Sequence, residues 1–238
     1  MKIQSFEDFP LSSGILRGLE DLGFETLFPI QAQAILPLLK GKDVIGQART
    51  GTGKTAAFGV PMVERIDPQT KSVQGLILVP TRELAVQVAA NIQLFAKYTK
   101  LRVLPVYGGE PIQRQIRGLT RGIHIVVGTP GRLIDLLKRC ILNLSSVKMV
   151  VLDEADRMLD MGFIDDIEYI LKRTPSSRQT SLFSATIDQT VMSLLPDRQA
   201  AHRTRIRSKV GSLDGDRDFA AGSGERRRNQ WPYHLTQR

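Results

Sequence analysis

Cys140 is the only cysteine among 238 residues, so no disulfide can form within the chain, a composition suited to a reducing compartment such as the cytosol. Histidine is almost as scarce. His124, His202 and His234 lie far apart, and with one cysteine they offer no zinc-ligand spacing. Aromatic residues make up 6% of the chain, with Trp231 the single tryptophan, which leaves no platform on which successive bases could stack. No segment approaches the ~18–20 consecutive apolar residues of a membrane-spanning helix. The opening Met1-Lys2-Ile3-Gln4-Ser5-Phe6-Glu7-Asp8 has no apolar stretch of the secretory kind. These absences lead us to expect a cytoplasmic protein with no membrane partner and no resident transition metal.

What is present is ordinary in bulk. A hydrophobic content of 42% can build a core, and 24% charged residues suit a globular chain. The net charge of +9 is unevenly placed: residues 195–238 hold 10 Lys/Arg against 5 Asp/Glu, while residues 1–194 hold 23 against 19. So mild an excess over the first 194 residues is compatible with phosphate binding but does not announce it.

Short apolar runs alternate with helical patterns through the first 194 residues. Most of the runs Asp43-Val44-Ile45, 75–79, 102–106, 124–128, 149–153 and 179–184 are nearly continuous in apolar residues, as in strands buried on both faces of a parallel sheet. Between them, 54–65, 82–97, 111–121, 132–138 and 163–172 read as helices. Strand–helix alternation predicts an α/β fold, a doubly wound parallel sheet with helices on both faces. His124, at the start of a buried run, reads as structural, and Met158, Met161 and Phe163 beside Leu159 read as core. Beyond Leu194 only 12 of 44 residues are apolar and 15 are charged. That composition predicts a disordered or non-native basic tail over 195–238, in which Arg226-Arg227-Arg228 reads as a solvated charge run.

Ala48-Arg49-Thr50-Gly51-Thr52-Gly53-Lys54-Thr55 follows a predicted strand and opens a predicted helix, the setting of a P-loop. Gly51 and Gly53 let the backbone turn its N–H groups toward phosphates, Lys54 brings a charge to the β and γ phosphates, and the Thr55 hydroxyl can ligate Mg²⁺. Ala48 stands where the strict pattern has glycine. Downstream, Val150-Val151-Leu152 runs into Asp153-Glu154-Ala155-Asp156. Carboxylates at the carboxyl end of a buried strand sit where open α/β sheets bind ligands. Asp153 could then hold Mg²⁺ and Glu154 orient or deprotonate an attacking water. Acidic residues favoured at a helix N-terminus remain the alternative reading of this segment.

The order Gly-Thr-Gly-Lys-Thr then Asp-Glu-Ala-Asp resembles the DEAD-box RNA helicases, over about residues 3–194. Gly23-Phe24-Glu25 followed by Pro29-Ile30-Gln31 resembles their Q motif, with Phe6 upstream. The resemblance implies a RecA-like, P-loop fold that binds ATP and Mg²⁺, with Gln31 reading the adenine edge and Phe6 helping to hold the base. Phe24 joins these and residues 48–55 in the nucleotide site. Thr55 and Asp153, the latter directly or through water, are the implied Mg²⁺ ligands, and Glu154, Asp153 and Lys54 the catalytic set. Pro80-Thr81-Arg82, Gly108-Gly109 and Thr129-Pro130-Gly131-Arg132 resemble the segments that grip an RNA backbone. Such residues bind phosphate and sugar and do not read bases. Ser184-Ala185-Thr186 resembles motif III, with Asp156 its partner in coupling. The family usually has Pro and Thr at Leu27 and Phe28. It also continues past Leu194 into a second RecA-like domain, which this sequence is expected to lack; that domain carries arginine fingers. A non-catalytic RNA- or nucleotide-binding regulator is the rival reading.

Overall fold

Side chains alternate to opposite faces along a strand, so a run that is apolar throughout needs cover on both sides. The computed structural model, which describes residues 5–49, 51–195 and 203–207, supplies that cover. Its strands are β1 (Asp43–Gln47), β2 (Gly75–Leu78), β3 (Val103–Val106), β4 (Ile125–Gly128), β5 (Met149–Asp153), β6 (Gln179–Ser184) and β7 (Arg203–Arg207). They form one sheet in the order β3-β4-β2-β5-β6-β1-β7, with every pairing parallel. Between them run α1 (Ser13–Glu20), α2 (Pro29–Leu39), α3 (Lys54–Arg65), α4 (Arg82–Phe95), α5 (Ile112–Leu119), α6 (Pro130–Lys138), α7 (Ala155–Asp160), α8 (Ile164–Leu171) and α9 (Gln189–Ser193). None of these is long and apolar enough to cross a membrane.

Alternation splits the strands between two cores. Val44, Ile77, Val127, Val151 and Phe183 join Phe58, Ile92 and Phe95 on one face. Ile45, Leu76, Val126, Val150, Leu152 and Leu182 join Leu133, Met158 and Ile167 on the other. Gly46 explains how β1 and β6 fit together: a Cβ there would stand 2.6 Å from the Phe183 ring. Phe183 in turn packs against Phe58 of α3 with ring centroids 5.3 Å apart. A glycine under the ring thus joins strand, neighbour and helix at the start of the phosphate loop.

The fold class matches the expectation, and three points are corrected. Pro29–Leu39 and Ser13–Glu20 are helices that periodicity did not mark. Met161 is exposed rather than core, whereas Met158 is buried. The tail also contributes to the fold: Arg203–Arg207 pair along the whole of β1, and Ile206 is buried in the first core. The single apolar residue in an otherwise polar pentapeptide gave no period to read, yet the strand buries Ile206 and leaves Arg205 and Arg207 exposed. The rest of 195–238, apart from Leu195, lies outside the described residues. Ile206→Ala should lower stability by about 2–4 kcal/mol in urea titration, the usual cost of truncating a buried isoleucine. An unchanged midpoint would mean that β7 is not part of the stable fold.

Candidate functional site

Parallel strands all end on one edge of the sheet, and the predicted motifs gather there. Gln47 at the end of β1 is level with Ser184 on β6, and Asp153 at the end of β5 is level with Phe183. The ends of β1 and β5 are therefore two strand spacings apart, roughly 10 Å, a gap that a lysine at the start of α3 can span. Lys54 Nζ stands 3.5 Å from Asp153 Oδ1, both side chains almost wholly buried. Burial pushes the Asp153 carboxyl above the ordinary range; the Lys54 charge pulls it down and the neighbouring Glu154 adds to the rise.

The turn before α3 is built to keep backbone N–H groups open. Gly51 and Gly53 have φ of +83° and +82°, which side chains other than glycine rarely adopt. Thr52 Oγ1 donates to the Arg49 carbonyl at 2.7 Å, and Ala48 N–H donates to Ser184 O at 2.9 Å, which ties the loop's entry to β6. Arg49 is exposed and Thr55, the second residue of α3, half-buried. Thr50 lies outside the described residues. Among the described residues no cluster of three or more His, Cys, Asp or Glu could hold a metal.

Gln31 is fully buried against this loop. Its Nε2 donates to Gly53 O at 3.1 Å and its Oε1 accepts from Phe28 N–H at 2.9 Å, the latter being half of a capping box at the start of α2. A Cβ on Gly53 would meet Gln31 and Phe28 at 2.5 and 2.8 Å. The substitution of Phe28 for the family's usual residue thus leaves Gln31 seated. Phe6 is placed apart from Gln31 among the described residues. Its ring is buried edge-to-face on Phe24, 5.4 Å between centroids, and both line a depression of about 870 Å³ with Arg17, Glu20 and Glu25. Gln31 does not line that depression. An isolated aromatic in sequence reads as available, whereas a ring among Phe9, Phe24 and Phe95 is drawn into the core.

Asp156 links β5 to β6. Its Oδ2 accepts from Ala185 N–H at 3.1 Å, Thr186 N–H at 2.9 Å and Thr186 Oγ1 at 3.1 Å, and Asp156 N–H donates to Ser184 Oγ at 3.2 Å. Burial alone would raise its carboxyl, but these hydrogen bonds, with one from Arg157 N–H, outweigh that and hold it below the ordinary range. Gln47 Nε2, which sequence reading missed, donates to Ala185 O at 3.1 Å. Glu154 has φ 53° and ψ 50°, a left-handed backbone that costs about 1–2 kcal/mol for a residue with a side chain. Its carboxylate meets Arg157 at 3.4 Å.

The other half of the edge, at β3, β4 and β2, collects the remaining motifs. Pro80, Arg82, Gly108, Thr129, Gly131 and Arg132 line one depression of about 420 Å³ together with Asp135 and Phe163. Thr81 caps α4, its Oγ1 accepting from Leu84 N–H at 3.3 Å, and Pro130 opens α6. Two helix N-termini thus face the same surface. A Cβ on Gly108 or Gly131 would meet nothing within 4 Å, and neither has a positive φ. The fold does not require glycine at these two positions, whereas a closely approaching ligand would. Sequence reading missed Glu110, which follows the glycine pair directly and contacts Arg82 and Arg132.

A family model described as DEAD/DEAH box helicase matches residues 28–194. The chain belongs to the DEAD/DEAH box helicase family. It is 54% identical over 183 residues to the DEAD-box ATP-dependent RNA helicase CshA of Bacillus subtilis, a match covering 77% of this chain and 37% of that protein. The corresponding figures for CshA of Bacillus cereus are 53%, 77% and 35%. The crystal structure of a DEAD box protein from the hyperthermophile Methanococcus jannaschii superposes with a TM-score of 0.83 at 39% identity, covering 88% of this chain and 57% of that one. A hypothetical ATP-dependent RNA helicase from Sulfolobus tokodaii gives 0.74 and 39%, with coverages of 83% and 57%. The chain spans little more than a third of the curated relatives it matches. Its sheet is the RecA-like domain of DEAD-box helicases.

The Asp156 cluster can be tested by pH. A carboxyl held low in the fold stabilises it above the ordinary aspartate range, and that contribution is lost as pH falls through the lowered folded value. Asp156→Ala should cost about 2–3 kcal/mol at neutral pH, the scale of hydrogen bonds to a charged group. In urea titrations the gap from wild type should narrow in acid; a gap constant with pH would contradict this account.

Proposed function

We propose that this chain is the ATP-binding and RNA-backbone-binding part of an ATP-dependent RNA helicase, in which hydrolysis is coupled to remodelling of RNA duplexes. The observation that carries the reading is the joining of four motif segments at one sheet edge: Gln31 on Gly53, Lys54 on Asp153, and Asp156 on Ala185 and Thr186. Enzyme and RNA surface would both lie on that edge.

The donor set suits Mg²⁺. Asp153 is a buried carboxylate facing a cation, the Thr55 hydroxyl stands on the same helix start, and the want of a three-residue metal cage among the described residues fits an ion held by one carboxylate and substrate phosphates. Bound there, Mg²⁺ would neutralise charge on the β and γ phosphates. Lys54 would turn its charge from Asp153 toward the phosphates, received by the N–H groups of residues 51–55 at the start of α3. Glu154 would orient the attacking water and take its proton as the bond to the γ phosphorus forms and that to the bridging oxygen breaks. Gln31, tied to Gly53, would sense the adenine edge, and Phe6 and Phe24 would support that segment from the core. Arg82, Arg132, Thr81, Thr129 and the open glycines would receive RNA phosphates and sugars without reading sequence.

An arginine aimed at the γ phosphate is worth ~10³–10⁵ in rate. In this family it comes from a second RecA-like domain, and Arg49 lies within the loop itself, badly placed to serve. The 238-residue chain should therefore bind ATP with Mg²⁺, in preference to GTP, yet hydrolyse it far below ~1 s⁻¹ with or without RNA. Lys54→Ala should weaken nucleotide binding and Gln31→Ala should erode the preference for ATP. Joining a second RecA-like domain from a related helicase should restore RNA-stimulated turnover, and Glu154→Gln in that fusion should abolish it. Fluorescent-nucleotide titration and steady-state ATPase assays check these outcomes. Equal affinity for ATP and GTP would count against the Gln31 assignment, and RNA-stimulated turnover near ~1 s⁻¹ by the unjoined chain would overturn the need for the second domain. Nucleotide and RNA binding without restored turnover in the fusion would favour a non-catalytic regulator.

A further inference from the structure

Within the depression that gathers Arg82, Gly108, Thr129, Gly131 and Arg132, the arginines already have an anion. Arg82 Nη2 lies 3.6 Å from Glu110 Oε1, and burial together with the nearby Glu110 carboxylate holds the Tyr107 hydroxyl above its ordinary pKa. The Arg82 guanidinium also lies 5.1 Å from the centre of the Tyr107 ring. Arg132 Nη2 donates to the Glu110 carbonyl at 3.0 Å, while its Nη1 is buried with no hydrogen-bond partner among the described residues. Gly109, with φ +80°, makes the turn that delivers Glu110 to this place. Asp135, the other carboxylate lining the depression, is engaged by Arg139 at 2.6 Å, so Glu110 is the counter-anion of the Arg82 side.

We infer that Glu110 stands in for an RNA phosphate: its carboxylate occupies Arg82, and the RNA backbone must displace it to bind. Glu110 therefore sets how tightly this surface holds RNA. The inference rests on the RNA-backbone reading of the same surface. An exposed ion pair contributes little to folding, so the pair is easily opened; Arg82 remains about half exposed and the Glu110 side chain about a quarter. The carboxylate matters instead as a competitor. An incoming phosphate meets a negative charge on the very group it needs, and gains from Arg82 only the difference between two anions. Arg132 Nη1, buried and unmatched, would have to turn outward before a phosphate could reach it. With the carboxylate in place the surface discriminates against weak polyanions, since only a ligand that engages several sites at once can outcompete it.

The test is fluorescence anisotropy of a labelled oligouridylate with the full chain, between about 50 and 200 mM salt. Glu110→Gln keeps the size of the side chain and one acceptor oxygen while removing its charge. It should bind RNA about 3–5-fold more tightly, the upper part of the scale expected from relieving one screened charge pair. The plot of log affinity against log salt should also steepen by about 0.7, one further cation being free for phosphate. In an Arg82→Gln background the same change should gain less than ~2-fold, because the two residues act as a pair. If Arg82→Gln weakens binding while Glu110→Gln leaves affinity and slope unchanged, or weakens binding, the stand-in role is wrong and the RNA surface stands. If neither Arg82→Gln nor Arg132→Gln alters RNA binding, the RNA surface itself is misassigned and the inference falls with it.

Discussion

A carboxylate sealed at the end of a strand cannot keep its charge without a cation beside it, and Asp153 has one only because Lys54 reaches across β6. Removing one member of such a pair leaves the other stranded in the interior, typically at about 3–5 kcal/mol. The pair therefore dictates where its surroundings must go. β1 and β5 must end within one residue of each other with β6 between them, and the register through β6 achieves this. α3 must begin immediately beyond β1, which requires the two left-handed glycines of the connecting loop. β6 must lie flat against β1, which requires Gly46 beneath Phe183. Each of these is a local choice of residue, and together they bring the lysine to the aspartate.

The sheet edge divides its labour by strand order. The ends of β1, β6 and β5 carry the nucleotide motifs, and those of β2, β4 and β3 carry the surface with the open glycines. β2 and β5 are direct neighbours, so the two groups meet within one rigid sheet. Asp156 adds a second tie by accepting from the backbone just beyond β6. Hydrogen bonds thereby join the Asp153-Glu154 turn to residues 184–186.

Much of this was legible in sequence, for a physical reason. Strands buried on both faces tend to be continuously apolar, as β5 nearly is, and β5 and β6 were read to the residue although β6 (Gln179–Ser184) carries buried Gln179, Thr180, Ser181 and Ser184; so was α3, whose start is marked by the phosphate loop. The residues that sequence named and the fold brings to one edge, Lys54, Asp153, Asp156 and Gln31, belong to segments whose order constrains them. Legibility failed where a local signal ran against tertiary context. α2 holds Pro37 in its interior, normally a helix breaker, and α1 carries Gly14 and Gly18, poor helix formers that let α1 approach the end of α4 within backbone contact. Phe6 looked free because its partners Phe9 and Phe24 are recruited by folding. β7 is recognisable only through the strand it joins, and Glu110 only through the arginines it meets.

The left-handed backbone at Glu154 has a consequence for how this protein could change over time. Glycine would relax that turn and gain roughly 1 kcal/mol in stability, so selection for robustness alone would favour losing the side chain. A glutamate kept in an unfavourable conformation marks a position where the fold tolerates strain to hold a carboxylate in place. A sister chain released from hydrolysis would then be expected to drift toward glycine or asparagine there, growing sturdier as it lost its chemistry. The left-handed backbone angle is thus a cost the fold meets at the one residue proposed to activate water.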